Sequence, residues 1–182
     1  MDFNTVIAIL LAGIFSSNFA LIECLGTGAV IENERSNRRS LIVGGGTTLV
    51  MVIATLITWP INKYLLADAS YLQTLVFVVV ILVVVELVHL LAKNRLEGYC
   101  KVDFLKFAIN GAVLGICIHN THLNFGEAAL TAFATGLGLT LTMVVFSSLR
   151  RRIDEEAVPA SFRGLPLALL IAGLMALAIL AF

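Results

Sequence analysis

Charge is scarce in this chain and cysteine scarcer: 13% of its 182 residues are Asp, Glu, Lys or Arg, and there are three Cys, three Pro and one Trp. So little charge beside 59% hydrophobic residues excludes a soluble domain of this length. No two cysteines have Cys-x-x-Cys spacing, and one expected at the cytoplasmic face with two inside apolar runs argues against a structural disulfide. No Gly-rich turn follows a strand pattern, so nothing points to nucleotide binding. Lys and Arg are also missing from both ends of the chain.

What remains is a series of long apolar runs, approximately Thr5 to Ile31, Ser40 to Trp59, Tyr71 to Ala92, Phe104 to Ile118, Glu127 to Leu149 and Gly164 to Phe182. Crossing a hydrocarbon core takes about 20 apolar residues as helix, and these six stretches meet or nearly meet that length. The runs are continuous, whereas lipid-facing barrel strands would alternate apolar with polar. The first run has no basic leader and no small-residue cleavage site, so it reads as a span and not a signal peptide. The expected fold is therefore an all-α integral membrane domain of six transmembrane helices covering residues 1–182.

Orientation follows from the basic residues. All of the twelve Lys and Arg except Lys63 lie in the first, third and fifth connections: Arg35, Arg38 and Arg39, then Lys93, Arg95, Lys101 and Lys106, then Arg150, Arg151, Arg152 and Arg163. Basic loops stay on the cytoplasmic side during insertion, which places both termini outside. Arg150 to Arg152 followed by Asp154, Glu155 and Glu156 is a solvated cytoplasmic loop or a docking surface for a soluble protein or anionic lipid.

Two spans have the wrong length. A straight helix from Thr5 to Ile31 would be about 40 Å long, yet it contains Ser16-Ser17-Asn18, Glu23 and Gly26-Thr27-Gly28, so a break is expected. Phe104 to Ile118 is short, about 22 Å, with Asn110-Gly111 at its middle, and reads as a half-helix. Asn18-Phe19-Ala20-Leu21-Ile22 resembles Asn110-Gly111-Ala112-Val113-Leu114, and with three spans per half the halves enter the membrane in opposite senses. That is an inverted three-plus-three repeat, whose interrupted segments mark the working centre near the midplane. Asn18 and Asn110 are thus candidates for an ion path, or groups that satisfy the backbone at helix kinks.

Ionisable residues inside spans are costly and face an interior or a cavity. Glu23 is the deepest and the best candidate for an ion or proton ligand, with an intersubunit salt bridge as the alternative. Glu86 and His89, three apart on one helix face, are candidates for a proton relay or a structural pairing. Asp103 and Lys106 read as a self-satisfying pair. His119 and His122 lack neighbours to complete a zinc shell and are expected to face water in an outer loop. Gly111 and Gly115, Gly44-Gly45-Gly46 and Gly136-Leu137-Gly138 mark smooth faces for close helix approach.

Several of these segments resemble one family. Ser17-Asn18-Phe19 followed by Leu25-Gly26 is similar to the first-helix signature of the paired six-helix subunits of Rnf and Nqr complexes. Asn110-Gly111-Ala112-Val113-Leu114-Gly115 is similar to the fourth-helix signature, and Tyr71 to Phe77 to the start of the third helix. Val158-Pro159-Ala160-Ser161-Phe162-Arg163-Gly164, leading into Ala168 to Ala178, carries the most specific resemblance, which extends over essentially the whole chain. The nearest branch is the RnfA-like one, with both termini outside. The resemblance implies a prokaryotic cytoplasmic-membrane complex coupling electron transfer, NADH with ferredoxin or quinone, to movement of Na⁺ or H⁺. It also implies an oppositely oriented RnfE-like partner and a [2Fe-2S] cluster held between the two, each supplying two cysteines.

At the two family cysteine positions this chain has Gly28 and Gly111. Glycine cannot ligate iron. Cys24, about one turn before Gly28, and Cys117, nearly two turns after Gly111, are either a displaced ligand pair or buried inert thiols; Cys100, beside Lys101, faces the cytoplasm. The expected role is a subunit of a redox-driven ion-translocating complex that lacks the usual aligned cluster ligands. The alternatives are a redox-inactive scaffold or ion-path subunit, and a free-standing small transporter built on the same repeat.

Overall fold

The computed structural model describes residues 3–16, 28, 37–66, 70–96, 110–154 and 158–180. Among the described residues there are six α-helices and no strand: α1 (Phe3–Leu11), α2 (Asn37–Leu65), α3 (Gln73–Leu96), α4 (Gly111–His119), α5 (Phe125–Arg152) and α6 (Leu165–Leu180). Among the described residues two helices are long and apolar enough to cross a bilayer unaided, Ser40–Leu65 and Phe125–Arg152. Their outward surfaces are apolar. On α6, Leu165, Leu169, Leu170, Leu174 and Leu177 are each at least half exposed, an arrangement that suits lipid and would be an association liability in water.

α2 and α5 form the central pair and make the largest helix–helix contact among the described residues. Met51, Met143, Phe146, Val50 and Leu139 are buried around their crossing, and Phe77 from α3 with Val113 and Ile116 from α4 extend the same core. Several hydroxyls inside it are satisfied locally. Thr48 donates to the carbonyl of Gly44 at 2.8 Å, Thr58 to that of Ala54 at 2.8 Å, and Thr142 to that of Gly138 at 2.9 Å. Bonding back to the preceding turn lets a polar side chain sit where no water reaches it.

Glycine sets how closely the central helices approach. A Cβ built on Gly44 would lie 2.7 Å from the Thr140 side chain, and one on Gly136 would lie 2.6 Å from that of Thr48. The contact is reciprocal, and its two threonine hydroxyls meet at 3.2 Å. A second close contact joins α5 to the first segment, where a Cβ on Gly138 would fall 2.6 Å from the Gly13 carbonyl oxygen. Gly111, by contrast, is exposed and not part of either crossing.

The clearest departure from the sequence reading is at the end of the second span. The second span does not stop at Trp59: α2 runs through Pro60 to Leu65, although proline forfeits one backbone hydrogen bond there. Tertiary contacts hold that end. Trp59 Nε1 donates to the Leu123 carbonyl at 2.8 Å, its ring meets Phe125 edge-on at 5.2 Å, and Lys63 Nζ lies 4.8 Å above it. Lys63 is therefore a helical residue placed over an aromatic ring, not a loop charge. In the first segment, α-helical geometry gives way to a π-helical turn over Ala12–Ser16, at the place where Gly13 touches α5; residues 17–27 lie outside the described residues. In the fourth segment the described helix begins only at Gly111, and residues 101–109 lie outside the described residues.

Candidate functional site

α4 starts in mid-segment because Asn110 stops it from starting earlier. Asn110 is extended (φ −124°, ψ 142°), its Oδ1 accepts from the Ala112 backbone N–H at 2.7 Å, and its carbonyl accepts from Val113 N at 3.0 Å. An asparagine in this role caps the free N–H groups of a first helical turn. That uses the side-chain oxygen only. Asn110 Nδ2 is buried and has no hydrogen-bond partner among the described residues, so one donor is left at the head of a short helix inside the bundle.

Gly111 follows immediately and is exposed. Cys117 belongs to the opposite environment: it is 2% exposed, with its Sγ 3.9 Å from Thr55 Oγ1 on α2. Six helical positions separate the two residues, a rotation of about 120° at 3.6 residues per turn. Bringing the Cys117 thiol to the face that Gly111 occupies would take that rotation as well as movement along the axis. Gly28 is also exposed, and a Cβ placed on it would meet nothing within 4 Å. Neither glycine supplies a donor atom.

An intramembrane iron–sulfur cluster needs a set of thiolates converging on one point. The described residues do not fit one, since Cys117 is the one described cysteine and is turned into the core. No group of three or more His, Cys, Asp or Glu side chains is placed to hold a metal ion among the described residues. Asn18, Glu23, Cys24 and Cys100 lie outside the described residues, as do Asp103 and Lys106. The expected meeting of the Asn18 and Asn110 segments therefore falls outside the described residues except at Asn110.

Glu86 is exposed on α3, in line with Val79, Leu82, Val83, Leu87 and Leu90 on its outward surface. His89 lies one turn further along the same helix; its side chain is outside the description. A carboxylate on an apolar outer face is costly in lipid, which makes this strip of α3 a surface suited to a protein neighbour. His119 and His122 are both exposed, at the turn Asn120–His122 between α4 and α5.

Sequence reasoning passes over the threonines at the α2–α5 crossing, although a signal for them is present. Gly44-x-x-x-Thr48 and Gly136-x-x-x-Thr140 are the same pattern, separated by 92 residues, and Asn18 and Asn110 have that same separation.

The Rnf-Nqr family of membrane-protein subunits matches residues 6–182 of the chain. The A component of the ion-translocating oxidoreductase complex of Serratia proteamaculans is 35% identical over 173 residues, 91% of this chain and 90% of that one. The A component of the Na⁺-translocating ferredoxin:NAD⁺ oxidoreductase complex of Acetobacterium woodii is 34% identical over 185 residues, 98% and 96% of the two chains. The A component of the ion-translocating oxidoreductase complex of Escherichia coli O9:H4 is 35% identical over 176 residues, 91% and 90%.

Proposed function

The chain belongs to the Rnf-Nqr family of membrane subunits, and from that premise we propose that it is the A-type component of a complex that couples electron transfer between ferredoxin and NAD⁺ to translocation of Na⁺ or H⁺. The observation that carries this reading is the end-to-end similarity to proteins named as the A component of such complexes. It acts with other Rnf-type subunits, among them an oppositely oriented, RnfE-like homologue.

Within that role we read the fold as an inverted repeat of three plus three helices, with both termini outside and the arginine-rich connections in the cytoplasm. Four observations support the reading: the reciprocal Gly44–Thr140 and Gly136–Thr48 contacts, the 92-residue separation of their partners, the Asn18 and Asn110 pair at the same interval, and helix starts at Gln73 and Leu165 that share it. A contact that maps onto itself when two segments exchange places is what a local two-fold axis produces. Asn110 then caps the second-half broken segment beside the centre of that repeat, with Asn18 as its first-half counterpart and Glu23 as a further residue of the ion path.

The glycines at 28 and 111 favour a subunit that brings no thiolates to a [2Fe-2S] cluster at those positions. Cys117, held against Thr55, serves as a packed core thiol in this reading. The alternative of a redox-inactive scaffold or ion-path subunit is favoured by the same glycines.

The test is capture through a tag on this chain from native membranes, followed by assay of ferredoxin-dependent NAD⁺ reduction. Recovery of activity with the other Rnf-type subunits, lost when the gene is deleted and restored by complementation, is the expected result. Purification as a homodimer without redox partners would refute it and favour a free-standing transporter.

A further inference from the structure

A cavity of about 300 Å³ lies between the first segment and the end of α5 nearest the His119–His122 turn. At about 30 Å³ per molecule it has room for roughly ten waters. Thr5, Ile9 and Gly13 form one wall, and Glu127, Thr131 and Thr135 the other. The last three are four residues apart in sequence, so they share one face of α5 and step inward over about 12 Å.

The chemistry of that wall is specific. Thr131 Oγ1 donates its proton to the Glu127 carbonyl at 2.8 Å, which leaves only lone pairs for the cavity. Thr135 is 2% exposed, and its hydroxyl has no hydrogen-bond partner among the described residues. A buried, unmatched hydroxyl at the floor of a cavity is costly unless water or an ion reaches it. At the mouth, Glu127 Oε2 accepts from Asn124 N at 3.4 Å and Nδ2 at 3.1 Å; Oε1 is not used by either bond. The opposite wall is aliphatic apart from Thr5, and His119 and Leu123 complete the lining, so largely apolar surroundings focus the carboxylate's field into the space. One carboxylate with hydroxyl oxygens suits a monovalent cation that keeps part of its water shell, whereas Ca²⁺ takes about six to eight oxygen ligands.

We propose that this cavity is a hydrated vestibule, opening to the outside, that takes a small monovalent cation through Glu127, Thr131 and Thr135. The proposal rests on the orientation given under Proposed function. It adds an ion-accessible position on α5 to the Asn18, Glu23 and Asn110 path.

The test uses the intact complex in right-side-out vesicles, with Thr135→Cys or, one turn nearer the mouth, Thr131→Cys, and with the labelling of the unsubstituted complex subtracted. Membrane-impermeant methanethiosulfonates of positive and negative charge are added outside, and rates are normalised to His122→Cys in the exposed turn. The expected result is modification of both cavity positions, with the cationic reagent faster by on the order of ten-fold. Glu127→Gln, which retains an acceptor for the Asn124 cap, should remove that preference. Sodium chloride, but not choline chloride, should slow the reaction. Unreactive Cys at both positions while His122→Cys reacts, equal rates for the two reagents, or equal rates in sodium and choline would each overturn the vestibule and leave the assigned orientation standing. Labelling of His122→Cys only from the cytoplasmic side would instead overturn the orientation, and the outward opening with it.

Discussion

Adding a single methyl group at Gly44 should destabilise the protein, whereas adding it one residue later should not. A Cβ at Gly44 would lie 2.7 Å from two Thr140 side-chain atoms and 2.9 Å from Thr140 Cα, while one at Gly45 would meet nothing within 4 Å. A side chain can rotate away, but a backbone atom moves only with its helix. Overpacking that displaces backbone costs typically about 1–3 kcal/mol. Replacing a helical glycine by alanine contributes up to about 1 kcal/mol in the other direction. Gly44→Ala should therefore be destabilising by about 1–2 kcal/mol and Gly45→Ala neutral or stabilising. For a chain of this size 1 kcal/mol corresponds to about 2–4 °C in Tm, so the pair should separate by several degrees. Thermal unfolding of the detergent-solubilised subunit, followed by size-exclusion fluorescence, measures the separation. Thr140→Ala should rescue Gly44→Ala only in part, because the backbone of residue 140 still blocks the new methyl group. Equal Tm values for Gly44→Ala and Gly45→Ala, or full rescue by Thr140→Ala, would refute a backbone-limited crossing.

Two further perturbations probe the ends of the bundle. Asn110→Ala removes the cap of α4 and should cost about 1 kcal/mol in unfolding experiments; Asn110→Asp keeps an acceptor for Ala112 N and should retain stability, yet it deletes the unpartnered Nδ2 donor, so reduced ion-coupled activity in that variant would separate a working role from a capping one. Trp59→Phe removes the hydrogen bond to Leu123 and weakens the Lys63 contact, and should lower stability by about 1–2 kcal/mol, read as Tm, with helicity by circular dichroism unchanged.

The apolar runs made the helices legible in sequence, because in lipid the backbone can be satisfied only within helices or closed barrels and twenty-odd apolar residues leave little choice. Ends were harder to read. Pro60 looks like a terminus by local rules, and only the Trp59–Leu123–Phe125 contacts, made across the fold, explain why α2 continues past it. The start of α4 was legible, since Asn110 before Gly111 is a cap signal in its own right. Glycine runs announced close packing without naming partners: Gly44 and Gly136 meet threonines, and Gly13, which has no neighbouring glycine in sequence, meets Gly138. Glu127, Thr131 and Thr135 passed unnoticed because one carboxylate and two threonines in an apolar run look like ordinary helix decoration until the first segment closes over them. Cys117 could be placed on its helix from sequence, but the direction it faces depends on α2.

The central claim is that this chain works within a redox-driven ion-translocating complex without itself ligating a cluster. Iron and acid-labile sulfide in the complex captured through this chain, with Cys24 and Cys117 intact and then both replaced by Ser, test it most directly. The account predicts the same iron and sulfide content per complex in the two preparations. Loss of one [2Fe-2S] cluster's complement on substitution would contradict it.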